Sequence, residues 1–204
     1  MDRLPSPVGR MPLLAAILVL LLPPARAQET VASAPADLDQ IVQQADTIVR
    51  GHIVSVRSEP HPQFPSLRTV VVTFQADRVL KGSADKTSTF RQYVFDARDP
   101  IKTSGYRKAD ELLLFLNPSS RYGLTSPVGL DQGRFRIERD PQGNAFALNG
   151  RGNVGLFSNV ETKARTRGTA LSPRAQAMVS SPAAGRVSLD TLEETVLALT
   201  QGQR

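Results

Sequence analysis

Along most of this chain, hydrophobic positions alternate rather than recur every third or fourth residue. The clearest run is 67–82, LRTVVVTFQADRVLKG. Val70, Val72, Phe74 and Ala76 fall on one face; Thr69, Val71, Thr73, Gln75 and Asp77 fall on the other. Successive strand side chains point to opposite faces, so the run predicts a strand with one buried face. Lys81-Gly82 ends it with a turn residue.

The same reading predicts strands on either side. Residues 47–56, TIVRGHIVSV, alternate imperfectly around Gly51, the mark of a bulge or bend. A third strand covers 87–95. Residues 112–116, LLLFL, are apolar throughout and stand between Asp110-Glu111 and Asn117-Pro118. That short run between breakers predicts a strand buried on both faces. Residues 133–139 and 144–149 form a hairpin across Asp140-Pro141-Gln142-Gly143, the composition of a type I turn.

Helical spacing appears only at the two ends of this set. Leu38, Ile41, Val42 and Ala45 make one stripe within 37–46, and Leu189, Leu192, Val196 and Leu199 make another within 187–201. Ser188 is placed to cap the second helix, with Val187 and Leu192 as a hydrophobic staple. Residues 58–66, with three prolines, and 96–108 and 118–132 read as loops. Six or seven short strands joined by turn-rich loops predict an all-β fold: a small antiparallel barrel or sandwich with short N-terminal and C-terminal helices.

The first 27 residues read as a secretory signal. Arg3 and Arg10 precede a 12-residue apolar run at 11–22, then Pro23-Pro24 and the small-x-small site Ala25-Arg26-Ala27. Twelve apolar residues fall short of the roughly 20 that span a bilayer. The expected mature chain begins at Gln28 and is extracytoplasmic, either periplasmic or secreted. It is long enough for one domain with a core. There is no cysteine, so burial alone holds the fold and Cys-ligated metal sites are excluded.

Charge is local. The mature chain carries 22 basic against 18 acidic residues, and the surplus sits in 161–186, where five bases accompany Glu161 alone. That segment shows little periodicity and reads as a mobile basic stretch with a short helical turn after Ser172-Pro173. It offers an acidic polymer a landing site, but it lacks aromatics on which bases stack, which argues against nucleic acid. The expected domains are thus 28–160 for the barrel, 161–186 for the basic segment and 187–204 for the last helix.

Three landmarks carry a resemblance. They are 45–56 (ADTIVRGHIVSV), the 67–82 strand ending Val79-Leu80-Lys81-Gly82, and 110–115 (DELLLF). Their succession resembles the netrin-like module of the tissue inhibitors of metalloproteinases, an OB-type barrel. It is also similar to a group of secreted bacterial proteins that share a further segment, here Gly129-Leu130-Asp131-Gln132-Gly133-Arg134-Phe135. The resemblance covers roughly 38–149 and implies an OB-like barrel. The animal inhibitors bind zinc through an N-terminal cysteine held by disulfides. This chain has none, so that chemistry does not carry over.

No motif names a reaction. Gly150-Arg151-Gly152-Asn153-Val154-Gly155 matches G-x-G-x-x-G, but no helical pattern follows to meet a pyrophosphate, so it reads as a glycine-rich turn. The two histidines, His52 and His61, have no partner at metal-ligand spacing, and no G-x-S-x-G elbow is present. No cofactor or metal is expected. Asp96, Asp99, Asp110 and Glu111 are the carboxylates a hydrolase would draw on. Tyr106, Arg107, Tyr122 and Arg134 flank the loops 96–110 and 118–132, and Tyr and Arg are the usual anchors of a protein interface. The leading expectation is a non-enzymatic module that binds a protein partner through these residues. The alternatives are a carboxylate hydrolase and an envelope-polymer binder using 161–186.

Overall fold

A computed structural model describes residues 36–96, 98–181 and 184–202. The expected signal sequence and its cleavage site lie outside the described residues. One seven-stranded antiparallel sheet organises the rest, in the order β3-β2-β1-β4-β5-β6-β7. Its strands are β1 (Thr47–Pro60), β2 (Arg68–Lys81), β3 (Thr87–Tyr93), β4 (Glu111–Leu116), β5 (Arg134–Arg139), β6 (Ala145–Asn149) and β7 (Val187–Ser188). The helices are α1 (Leu38–Gln44), α2 (Pro100–Ser104), α3 (Val160–Thr166), α4 (Pro173–Val179) and α5 (Leu189–Gln201). The all-β expectation holds in this form. The sheet is open, with β3 and β7 as its edges.

The continuous apolar run of β4 is explained by its place. It pairs with β1 on one side and β5 on the other. Leu113 and Phe115 face a core shared with α1, α3, α4 and α5. Leu112 and Leu114 face a second core made of Val49, Ile53, Val70, Val72, Phe74 and Tyr106. Each fully buried Leu or Phe contributes about 1.5–3 kcal/mol, so both faces of this strand hold the fold together.

β1 is longer than its alternation predicts. It runs into the proline-rich stretch as far as Pro60, which pairs with Arg68 of β2. Its register shifts three times against β2, and these bulges blur the two-residue period. At the middle one, a Cβ on Gly51 would lie 1.9 Å from the Gln75 carbonyl oxygen. Only glycine lets the strands come together there.

Both terminal helices form as their stripes predict. Asp37 caps α1 in a capping box with Gln40, and the Ser188 side chain accepts from the Thr191 amide at the start of α5. The segment 161–186 carries the helical turn expected after Ser172-Pro173, as α4, and further helix besides. It holds most of α3 and all of α4, whose Ala164, Ala175 and Val179 pack in the helix-side core. Alanine makes a weak apolar stripe, and so the period is faint in the sequence. Four of the segment's five bases meet carboxylates: Lys163 with Asp37 at 2.6 Å, Arg165 with Glu161 at 2.7 Å, Arg167 with Asp39, and Arg186 with Glu138 at 3.6 Å. They are spent within the molecule. No helix among the described residues is long and apolar enough to cross a membrane.

Candidate functional site

The edge strand β3 ends at Tyr93, and Val94-Phe95 continue the chain beyond it. Alternation turns Val94 into the core and leaves Tyr93 and Phe95 on the surface. Phe95 is 78 % exposed and meets Tyr93 edge-on, with ring centres 5.0 Å apart. These two rings are among only eleven Phe and Tyr in the chain, which has no Trp.

The arm 117–132 lies opposite. Its backbone is fixed by local bonds: the Thr125 hydroxyl donates to the Asn117 carbonyl at 2.6 Å, and the Asn117 side-chain amide donates to the Ser126 carbonyl at 3.0 Å. The Thr125 amide donates to the Arg91 carbonyl at 2.9 Å, which ties the arm to β3. Arg91 forms an isolated bridge with Leu124, and Leu116 of β4 forms one with Pro127.

Between strand end and arm runs a groove of about 420 Å³, walled by Tyr93 and Phe95 on one side and Tyr122, Leu124 and Leu130 on the other. Past Tyr93 and Phe95 it adjoins a recess of about 140 Å³ that ends at Ser104, Asp131 and Arg134. The site therefore has an aromatic length and a polar end. Tyr122 is 39 % exposed, leans edge-on against Phe64 at 5.2 Å and lies under the Arg121 guanidinium at 4.6 Å.

Arg134 forms the polar end. It donates to the Ser104 carbonyl and to the Asp131 carboxylate, and its guanidinium carbon stands 4.9 Å from the Tyr106 ring centre. Gly105 has φ +73°, and a Cβ there would lie 2.6 Å from Arg134 Nη2. The glycine lets the guanidinium lie close to the backbone.

The four residues singled out in the sequence part company. Tyr122 and Arg134 line the groove and its recess. Tyr106 does not reach the rim: it is fully buried, and its hydroxyl donates to Gln92 Oε1 at 3.0 Å. Burial pushes its phenol far above the ordinary tyrosine value, against the pull of Arg134. Arg107 is exposed and lines neither recess; its carbonyl accepts from the Asp110 amide in a turn. Tyr93, Phe95 and Leu130 were not singled out. The two-residue period does carry Tyr93 and Phe95 to one face, and that signal was available. Leu130 sits at φ 56° in a turn, which no pattern announces.

Most of the other candidate groups have structural partners; Asp110 Oδ2 is buried with no hydrogen-bond partner. Asp96 is partly exposed and bound by Arg98 at 2.7 Å and 3.0 Å, which holds its carboxyl down at about 2. Asp99 caps α2, and Glu111 accepts from Arg139 at 2.9 Å. Gly150–Gly155 is a turn with left-handed Gly152, Asn153 and Gly155 and no helix at its end. Among the described residues no three His, Asp, Glu or Cys gather to hold a metal ion.

No family model matches the chain, and no curated protein or solved structure is similar to it.

Proposed function

We propose that this chain is an exported, non-enzymatic interaction module that binds a segment of a protein partner in the aromatic groove. The observation that carries the reading is the convergence of Tyr93, Phe95, Tyr122 and Leu130 along one groove. Aromatic rings bury large area at little entropic cost, and a polar rim then fixes orientation. Arg134 and Asp131 supply that rim at one end. The exported location rests on the signal-like first 27 residues.

The OB-like, netrin-like fold belongs to the same proposal. Its support is the pair of isolated bridges, Arg91 with Leu124 and Leu116 with Pro127. Through them the arm bridges β3 and β4, as a segment closing a barrel of β1, β2, β3 and β4 would. A binding surface on the closing segment of a barrel is a common use of such loops.

The test is capture from the organism's own extracytoplasmic extract with the mature chain and with a Phe95→Ser/Tyr122→Ser variant. Both side chains are exposed, so the variant keeps its circular dichroism spectrum. The proposal expects a partner retained by the first and lost by the second. Identical retention by both, or turnover of a substrate by the purified chain with no partner, contradicts it. N-terminal sequencing of the exported protein tests the compartment: a start at Gln28 supports it and a start at Met1 refutes it.

A further inference from the structure

His61 is buried to 2 % exposure, and its two ring nitrogens have opposite duties. Nε2 lies 2.9 Å from the carbonyl oxygen of Tyr122. A carbonyl only accepts, so Nε2 carries the proton. Nδ1 lies 3.1 Å from the Gln63 amide nitrogen and 3.2 Å from that of Phe64. Those amides only donate, so Nδ1 supplies a lone pair. The partners on both sides match the Nε2–H tautomer.

Nδ1 here does the work of an Asn or Asp side-chain oxygen, which accepts from the amide two residues on and fixes a turn. An imidazole differs from those oxygens in one respect. A second proton consumes its lone pair. The Nδ1–H then faces two N–H donors, while Nε2–H goes on donating to Tyr122.

The turn matters because of what it carries. The His61 amide donates to the Leu67 carbonyl at 2.8 Å and closes the loop. Phe64 stacks on the imidazole with ring centres 5.2 Å apart and meets Tyr122 of the groove wall edge-on; its amide also donates to the His61 carbonyl at 3.2 Å, and its carbonyl accepts from the Leu67 amide at 2.8 Å. Charged groups lie on every neighbouring element. On β1, Glu59 pairs with Arg57 at 3.2 Å. From β3, Arg91 donates to Glu59 at 3.0 Å and to the Pro60 carbonyl at 3.3 Å. On β2, Arg68 stands across from Pro60. On the arm, Arg121 covers the Tyr122 ring. Glu59 is the one carboxylate in this set, and two arginines already hold it.

We infer that His61 is a proton-operated latch: protonation at Nδ1 releases the 62–66 turn, and with it Phe64, from Tyr122 at the groove wall. Acid thereby loosens the outer support of the groove. The consequence for binding rests on the reading of the groove given above; the latch itself does not.

Nuclear magnetic resonance of the isotope-labelled mature chain tests it without any ligand. Long-range proton–nitrogen spectra at about pH 8 should show His61 as the Nε2–H tautomer. Acidification to about pH 5 spans the interval in which histidine changes charge. Over it, protection of the Gln63 amide, corrected for intrinsic exchange, should fall about tenfold, and that of Phe64, which keeps the His61 carbonyl as acceptor, should fall less. Contacts between the Phe64 and Tyr122 rings should weaken, while amides of α5 stay protected. His61→Asn places an oxygen where Nδ1 was, so protection at Gln63 should then be indifferent to pH. Three results overturn the latch: ring protonation with unchanged protection at Gln63 and Phe64, a ring that stays neutral until the chain unfolds, or the same loss of protection in His61→Asn. The first two need only the unaltered protein. A partner that fails to appear in the capture experiment leaves these readings untouched, so the two proposals fail separately.

Discussion

The guanidinium carbon of Arg134 lies 4.9 Å from the centre of the Tyr106 ring. This pair joins the surface site to the core beneath it, because Arg134 ends the recess and Tyr106 is fully buried. Arg134→Ala removes the contact with the ring and the bonds to Ser104 and Asp131. We expect a loss of about 2 kcal/mol in chemical denaturation. Arg134→Lys keeps a charge over the ring but not the forked donors, and should recover only part of that loss.

Tyr106 gives the molecule an alkaline limit. Its phenol is raised by burial, so the folded chain keeps this proton at a pH where the unfolded chain has lost it. Stability from this group is whole below about pH 10, the unfolded value, and falls as pH rises further, by up to about 1.4 kcal/mol per pH unit. Tyr106→Phe removes the ionisable group. Denaturation curves from about pH 8 to about pH 11 should fall less steeply for the variant than for the parent.

Glu193 fastens the last helix to the sheet. It is 1 % exposed and meets Arg50 of β1 at 3.1 Å and Arg78 of β2 at 2.5 Å. Glu193→Ala leaves Arg50 and Arg78 without their buried counter-charge. Breaking a buried pair by removing one partner costs about 3–5 kcal/mol, and since Arg78 is half exposed we expect the lower end. Thermal denaturation checks this, with α5 amides losing protection first.

Gly51 is the tightest point of the sheet. An added Cβ meets backbone, the Gln75 carbonyl oxygen at 1.9 Å, rather than a side chain that can turn away. Gly51→Ala should therefore cost about 3 kcal/mol or more. Its folded yield should fall far below that of Gly143→Ala, where a Cβ meets open space and left-handed backbone strain alone opposes the change.

The strands and the two terminal helices were legible because each declares itself within a few residues: Val70, Val72 and Phe74 by alternation, Leu38, Ile41 and Val42 by helical spacing, Ser188 by its cap. What was not legible depends on tertiary packing. Ala164 passes for a loop residue until neighbours cover it. Tyr106 follows Gly105, whose left-handed backbone carries the chain into the core. The groove joins Tyr93 and Phe95 to Tyr122 and Leu130, on segments that tertiary bonds such as Thr125 to Arg91 bring together. Of the residues expected at an interface, Tyr122 lies on the arm and lines the groove, and Arg134 opens β5 and lines the recess.

Photo-crosslinking from the groove bears most directly on the proposed function. A photoreactive phenylalanine analogue at position 95, in the mature protein exposed to its own extracytoplasmic extract, should yield one dominant adduct with a protein. The same analogue at Val154, which is also exposed but lies away from the groove, should yield none. Adducts of equal pattern from both positions, or none from position 95, would contradict the account.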